Sequence, residues 1–397
     1  MIKREEYLNK LITFKDKELI KVVTGIRRCG KSTLFRLFQD YLINNGVDKT
    51  QIININFEDV EFDYLTDYKI LYNEISKKLL PGKKNYIFLD EIQHVKDFEK
   101  AVDSLFIKDN VDLYITGSNA FFLSGELATL LSGRYVEISM LPLSFKEFYS
   151  VLDDNISKEE KFSKYLSEGG FPYLLNLPDD QAKRDYLEGI YNTIVLKDIV
   201  KRKNIADVGV LESIIKYIFD NVGNQTSVKK ISDTLISYGR KISAPTVESY
   251  LNALCDSYII NKVSRYDISG KQYLKTLEKY FVTDLGLQRF LLNNNKQNLG
   301  HNLENIVFLE LKRRGFKVYT GKIGELEIDF IAEGNGDKFY FQVAQSVLDE
   351  KTLERELKSL NKIKDHNQKF LLTMDFLPET SHDGIKQINI INWLLDK

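Results

Sequence analysis

The sequence predicts an α/β chain whose first domain is a parallel sheet covered by helices, with smaller domains behind it. Three observations carry this. Short apolar runs alternate with amphipathic stretches over residues 1–145, as strands do when helices connect them. A glycine-rich turn, GIRRCGKST at 25–33, lies between an apolar run and an amphipathic helix. At 397 residues the chain exceeds what one hydrophobic core usually holds, so two to four domains are expected.

The strands of the first domain are read at 19–24, 52–57, 86–89, 113–116 and 135–138. Residues 146–204 read as a mostly helical segment, broken by GGFP at 169–172. Helical patterns follow at 208–219, 227–237 and 244–257. Two β-rich runs come next, at 258–266 and 279–283. Three helices and a hairpin over 205–289 suggest a winged helix-turn-helix. The Asn-rich stretch 290–300 reads as a linker. The last domain, 290–397, reads as helix, three strands, helix, strand and a short tail.

Bulk properties narrow the function classes. Net charge is -1, so no global field draws the chain to nucleic acid or membrane. Apolar residues make up 43%, enough to bury real cores and exclude a disordered protein. Cys29 and Cys255 are the two cysteines, far apart, which fits a reducing compartment rather than a disulfide framework. With four histidines, a structural zinc site has few ligands to draw on. The N-terminus, MIKREEYLNKL, lacks an apolar signal core, and no apolar run approaches ~18 residues. The expectation is a cytoplasmic protein with no membrane partner.

Gly25, Gly30, Lys31 and Ser32 match G-x-x-x-x-G-K-[ST]. Such a loop turns its backbone N–H groups inward around phosphates, its Lys reaches the β- and γ-phosphates, and its Ser offers a hydroxyl to magnesium. ATP and Mg2+ are therefore the expected ligands. The residues expected to line the nucleotide are Gly25, Arg28, Cys29, Gly30, Lys31, Ser32 and Thr33, with no chemistry assigned to the Cys29 thiol. Arg27 and Arg28 either add charge near the phosphates or lie exposed. YIFLDE at 86–91 is a buried strand ending in two acids, at the edge where open α/β sheets bind ligands. Asp90 is expected to hold magnesium, directly or through water. Glu91 is expected to act as general base on the attacking water. LYITGSN at 113–119 offers Ser118 or Asn119 to the γ-phosphate or the lytic water. Arg134, between helical 125–132 and the next strand, is either an arginine finger to a neighbouring subunit or a surface ion pair. A homo-oligomer follows only from the first alternative.

GIRRCGKST, YIFLDEIQ, LYITGSNA, LLSGRYVEI and PLSFKEF together resemble the bacterial and archaeal AAA-type ATPases that carry a C-terminal uncharacterised domain. By that resemblance Lys31 and Ser32 are Walker A, Asp90 and Glu91 are Walker B, and Asn119 or Ser118 is sensor 1. Arg134 takes the arginine-finger position, and GGFP belongs to the lid. The resemblance further implies a restriction-endonuclease-like fold for 290–397. Such nucleases align a helical Glu, an Asp and a Glu-x-Lys. Here Glu304 and Asp329 are present, while Gln342 stands at the carboxylate position and Ala344 at the Lys position. An amide is a poor ligand for a hard dication, so the expectation is a degenerate nuclease fold without cleavage activity. Glu325 or Glu327 as substitute ligands, and a solvated surface for Glu304 and Asp329, remain open.

Lys229, Lys230, Arg240 and Lys241 give the helix-rich domain a modest basic cluster for double-stranded DNA. The expected function is an ATPase switch or motor on DNA or a DNA-associated partner. The alternative is a signalling or defence-type ATPase whose partner is a protein and whose C-terminal domain is an interaction module.

Overall fold

A computed structural model describes residues 2–118, 131, 133–201, 205, 207–292, 298–334 and 336–396. The chain divides into two compact units. The first is Met1–Pro142 with Asp256–Tyr258, and the second is Leu143–Cys255 with Ile259–Lys397.

The first unit is built on a parallel five-stranded sheet. Its strands are β1 (Ile20–Thr24), β2 (Ile52–Asn56), β3 (Asn85–Asp90), β4 (Val111–Gly117) and β5 (Tyr135–Ser139), in the order β2-β3-β4-β1-β5. All five were legible as apolar runs, and each lies within a few residues of its predicted span. β1 and β3 are buried along their whole length, as strands covered on both faces must be. The helices are α1 (Glu5–Thr13), α2 (Lys31–Asn44), α3 (Tyr68–Lys78) and α4 (Phe98–Phe106). Ile55, Leu71, Ile75, Leu89, Ala101, Val102, Leu105 and Ile115 form one apolar core on the α3/α4 face. On the α2 face, Phe38 and Phe88 meet Tyr114, with ring centroids 5.1 and 4.8 Å from it. Because β1 and β3 are adjacent to β4, their C-terminal ends open side by side on one edge.

The second unit starts with helices α5 (Phe145–Tyr149), α6 (Lys158–Glu168) and α7 (Asp180–Asn192). GGFP lies behind α6. Gly169 has φ +81°, and a Cβ there would come within 2.2 Å of Asp284 Oδ1. The buried Asp284 carboxylate accepts the N–H groups of Gly170 at 2.6 Å and Leu287 at 3.0 Å. Gly169 thus makes room for a carboxylate that binds backbone directly.

Three helices follow, α8 (Val208–Asp220), α9 (Val228–Ser237) and α10 (Ala244–Asp256). Ser227 caps α9, accepting the Lys230 N–H at 3.2 Å. A hairpin of β6 (Ile260–Asp267) and β7 (Gln272–Val282) comes next. β7 is longer than the predicted run at 279–283, because its first half mixes polar with apolar residues and carries no clear alternation. Of the predicted linker at 290–300, residues 290–292 and 299–300 belong to helices. α11 (Leu285–Leu292) and α12 (Leu299–Arg313) flank residues 293–297, which lie outside the described residues.

β8 (Lys317–Ile323), β9 (Leu326–Gly334), β10 (Asp337–Ala344), α13 (Glu350–Asn361) and β11 (Gln368–Thr373) match the predicted order. The tail holds more than expected: β12 (Thr380–His382), β13 (Ile385–Asn389) and α14 (Ile390–Leu395). The hairpin and the last domain share one sheet, ordered β12-β13-β11-β10-β9-β8-β6-β7. β6 joins it by parallel pairing of Arg265 through Asp267 with Thr320 through Lys322. No local pattern announces a pairing between segments more than fifty residues apart. Among the described residues, no helix is long and apolar enough to cross a membrane.

Gly169→Ala should lower the stability of the full chain by about 2 kcal/mol or more, since it combines a left-handed φ with a steric clash. Thermal unfolding checks this, and an unchanged Tm would show that the Asp284 carboxylate does not need the space beside Gly169.

Candidate nucleotide site

β1 ends at Thr24, and the loop 25–30 turns immediately into α2. Gly25 has φ +147°, and a Cβ on it would lie 2.2 Å from Met140 O. Gly30 has φ +107° and stands at the N-cap of α2. Both conformations favour glycine, and both let the loop close on itself. Arg28, also left-handed at φ +65°, is exposed. Arg27 pairs with Glu58 at 2.8 Å. Burial raises the pKa of the Cys29 thiol, which makes it inert.

Lys31 is buried, and its ammonium donates to Gly25 O at 3.1 Å and lies 3.3 Å from Glu91 Oε1. Burial opposes the charge, but Glu91 and its neighbours, Asp90 among them, together outweigh it and the lysine pKa is raised. Glu91 follows β3 in a left-handed conformation, φ +56°. Burial alone would push its carboxyl up, yet Lys31 and the Gln93 amide draw it down to about 2. It is therefore ionised at neutral pH. Asp90 ends β3 and is raised by burial, against hydrogen bonds from the Ser32 and Thr116 hydroxyls. Thr116 Oγ1 donates to Asp90 Oδ1 at 2.5 Å and accepts the Glu91 N–H at 2.8 Å. One hydroxyl on β4 thereby sets both acids of β3.

Ser32 and Asp90 thus meet at the mouth of the loop. Among the described residues, no group of three or more His, Cys, Asp or Glu is arranged to hold a metal. A hydroxyl and one carboxylate suit magnesium all the same, because that ion keeps waters and phosphate oxygens as its other ligands. Thr33 is half-buried and accepts weakly from Arg36 at 3.5 Å. Ser118 is buried beside Gln93, 3.5 Å from its amide. Asn119 and the stretch 125–132 that the sequence predicts as helical, apart from Leu131, lie outside the described residues.

Residues 17–149 match the family model described as an AAA domain. An uncharacterized protein of Haemophilus influenzae is 43% identical over 399 residues, covering 100% of this chain and 99% of its own. The chain belongs to the same family, and its first domain is an AAA domain. Residues 159–298 match a domain of unknown function, DUF8612. An uncharacterized protein of Methanocaldococcus jannaschii, MJ1544, is 36% identical over 87% of this chain and 79% of its own. Among solved structures, the Walker-type ATPase PABY2304 of Pyrococcus abyssi is similar over 73% of this chain and 96% of that one, with 19% identity and a TM-score of 0.49.

Within the AAA domain, Arg134 lies at the sheet edge opposite the loop. Its carbonyl accepts the Ile20 N–H at 2.9 Å, at the start of β1, whereas the loop leaves the end of that strand. Five strand residues separate the two edges by roughly 15 Å. Its exposed guanidinium sits 5.9 Å from the centre of the Phe106 ring. It does not belong to the nucleotide site of its own chain. Sequence reasoning missed Thr116 and Gln93. The position of Thr116 at the polar end of β4 was a usable signal; Gln93 carried none.

In the second unit Glu304 and Asp329 do come together, but around a lysine. Lys279 of β7 is buried, with its ammonium 3.1 Å from Glu304 Oε2 and 2.5 Å from Glu327 Oε1. Burial opposes its charge, and Glu304, Asp329 and Glu327 more than compensate. Asp329 is pushed up by burial and by Glu304, and it accepts the Val343 N–H at 2.8 Å. Glu304 is held down chiefly by Lys279, against burial. These acids are not a solvated surface. Gln342 does not join them: its amide donates to Glu356 at 3.0 Å and accepts from Ser359 at 3.4 Å, both on α13. Ala344 packs in the apolar core with Val347 and Leu360. Strand position put Gln342 and Ala344 at the carboxylate and Lys positions of a degenerate site, and their side-chain contacts run to α13 and the apolar core. Lys229, Lys230, Arg240 and Lys241 are all exposed.

Lys279→Met should cost on the order of 3 kcal/mol at neutral pH, because it strands buried carboxylates. Without the ammonium those carboxyls titrate higher in the folded than in the unfolded chain. The variant should therefore regain stability as pH falls from 7.5 to 5.5. A parallel pH profile of Tm for variant and wild type would count against the ammonium as the cluster's counter-charge.

Proposed function

We propose that this chain binds and hydrolyses ATP with Mg2+ and uses the cycle to act on DNA or a DNA-associated partner. The observation that carries the ATPase reading is the joining of Lys31, Ser32, Asp90 and Glu91 in one network at the mouth of the loop. In this reading the loop N–H groups and the N-terminus of α2 bind the phosphates. Ser32 and Asp90 hold magnesium, which neutralises charge on the transferring phosphoryl group when bound. Lys31 moves its ammonium from Glu91 to the phosphates. That move leaves Glu91 with a stronger carboxylate for orienting and deprotonating water, since its low pKa depends on Lys31. Gln93 and Thr116 keep Glu91 in place, and Ser118 or Asn119 senses the γ-phosphate. Arg134 serves a neighbouring subunit, because it stands at the far edge of its own sheet.

The three helices and hairpin are read as a winged helix, with Lys229, Lys230, Arg240 and Lys241 on phosphates. The last domain is read as a restriction-endonuclease-like fold in which Lys279 occupies the centre of the carboxylates, leaving no cleavage activity. A protein partner is the second reading. It is favoured by Tyr238 and Ile236, exposed by 77% and 52% beside the basic residues.

Lys31→Ala should abolish nucleotide binding. Glu91→Gln should retain ATP and lose turnover by roughly a hundredfold or more. Phosphate-release and filter-binding assays separate these, and normal turnover in Glu91→Gln removes that residue as base. Arg134→Ala should bind ATP yet turn over slowly, and mixing it with Glu91→Gln should restore some turnover. Failure of the mixture places Arg134 outside the reaction. Mobility-shift assays with and without ATP test the DNA reading, which absence of any shift at low salt would rule out.

A further inference from the structure

The N-terminal residues bear on the nucleotide loop in a way no motif indicates. Arg4 stands at the N-cap of α1 with φ +47°, a left-handed conformation that a non-glycine residue holds only under constraint. Its side chain is 3% exposed. One guanidinium nitrogen donates to Cys29 O at 2.8 Å, and the other donates to Leu141 O at 2.6 Å. The group also lies 4.9 Å from the centre of the Tyr7 ring, and the Tyr7 hydroxyl accepts the Leu141 N–H at 3.1 Å. Arg4 therefore ties the loop to the segment that leaves β5.

Cys29 O has a special place in that loop. Cys29 O and Gly30 N–H belong to one peptide unit, so a bond to the oxygen polarises the N–H on the other side. In a phosphate loop the N–H groups face inward and the carbonyls face out, into protein. An outward carbonyl buried without a donor would be costly, and the loop would twist to satisfy it. A guanidinium meets this need with a bond that is charge-assisted at every working pH. The fork also reaches two carbonyls at once, which a point charge does not.

We propose that Arg4 is a positioning residue for nucleotide binding: through Cys29 O it fixes the Cys29–Gly30 peptide with its N–H turned toward the phosphates. This rests on the proposal that the chain binds ATP. Arg4, at the N-cap of the chain's first helix, thereby acts on the nucleotide loop from outside its motif.

The test is titration of the full chain with a fluorescent ADP and a non-hydrolysable ATP analogue in Mg2+, with Tm of the nucleotide-free proteins in parallel. Arg4→Met should weaken both nucleotides about tenfold or more. Arg4→Lys should recover part of the loss, and ethylguanidinium should restore binding to Arg4→Ala. Tyr7→Phe removes the acceptor for Leu141 N–H but leaves Arg4 on the loop, so it should keep wild-type affinity. Wild-type affinity in Arg4→Met overturns the proposal. So does a loss that Tyr7→Phe reproduces in full, because that reports packing alone. If Arg4→Met does not fold, Arg4→Lys decides: affinity equal to wild type would show the fork to be dispensable. Lys31→Ala runs alongside. A wild-type chain that binds no nucleotide sinks the ATP reading itself, whereas binding that is indifferent to Arg4 sinks only this inference.

Discussion

The buried pair of Lys31 and Glu91 is the interaction on which the AAA domain's site depends. An ammonium in an apolar interior is tolerated only with a counter-charge and hydrogen-bond acceptors, and Glu91 and Gly25 O supply them. Each residue then constrains the other. Lys31 can be where it is because β3 ends beside the loop. Glu91 stays ionised because Lys31 is there. The sheet order places β3 next to β4 and β4 next to β1, so Thr116 of β4 can hold both acids at the edge where the loop emerges. β1 and β3 are buried along their whole length up to that edge.

The second unit meets the same physical problem with a different answer. Glu304, Glu327 and Asp329 converge in a region that excludes most water, and mutual repulsion would open it. Lys279, from the neighbouring hairpin strand, sits among them as their counter-charge. The continuous sheet brings it there, since β6 pairs with β8 and β7 lies beside β6. A lysine donated across that boundary ties the three-helix segment to the last domain in charge as well as in hydrogen bonds. The two halves of the unit are thus hard to treat as independent modules.

Much of the site was readable because its chemistry is local. A loop of nine residues carries Gly25, Gly30, Lys31 and Ser32, and two adjacent acids end a strand of unmistakable apolar character. Periodicity located all five strands of the first sheet, because each is buried and short. Other residues left no such trace. Thr116 and Arg4 make hydrogen bonds to groups 25 or more residues away, Gln93 bonds Glu91 two residues back, and side-chain type alone does not mark them. What Gln342, read at the carboxylate position of a degenerate site, touches was illegible for a related reason. Strand order was right, but the contacts of Gln342 run to α13.

The amino-acid sequence by itself determined the α/β class, the phosphate-type loop, the acids that face it and the absence of a disulfide framework, because each follows from residue type and spacing over short stretches. Tertiary structure alone decided which groups pair. It put Lys31 on Glu91, Arg4 on the loop carbonyl, Arg134 at the far edge of its sheet and Lys279 among three carboxylates. The reason is that charge pairing and burial depend on segments distant in the chain, and their meeting is set by strand order, which no local pattern encodes.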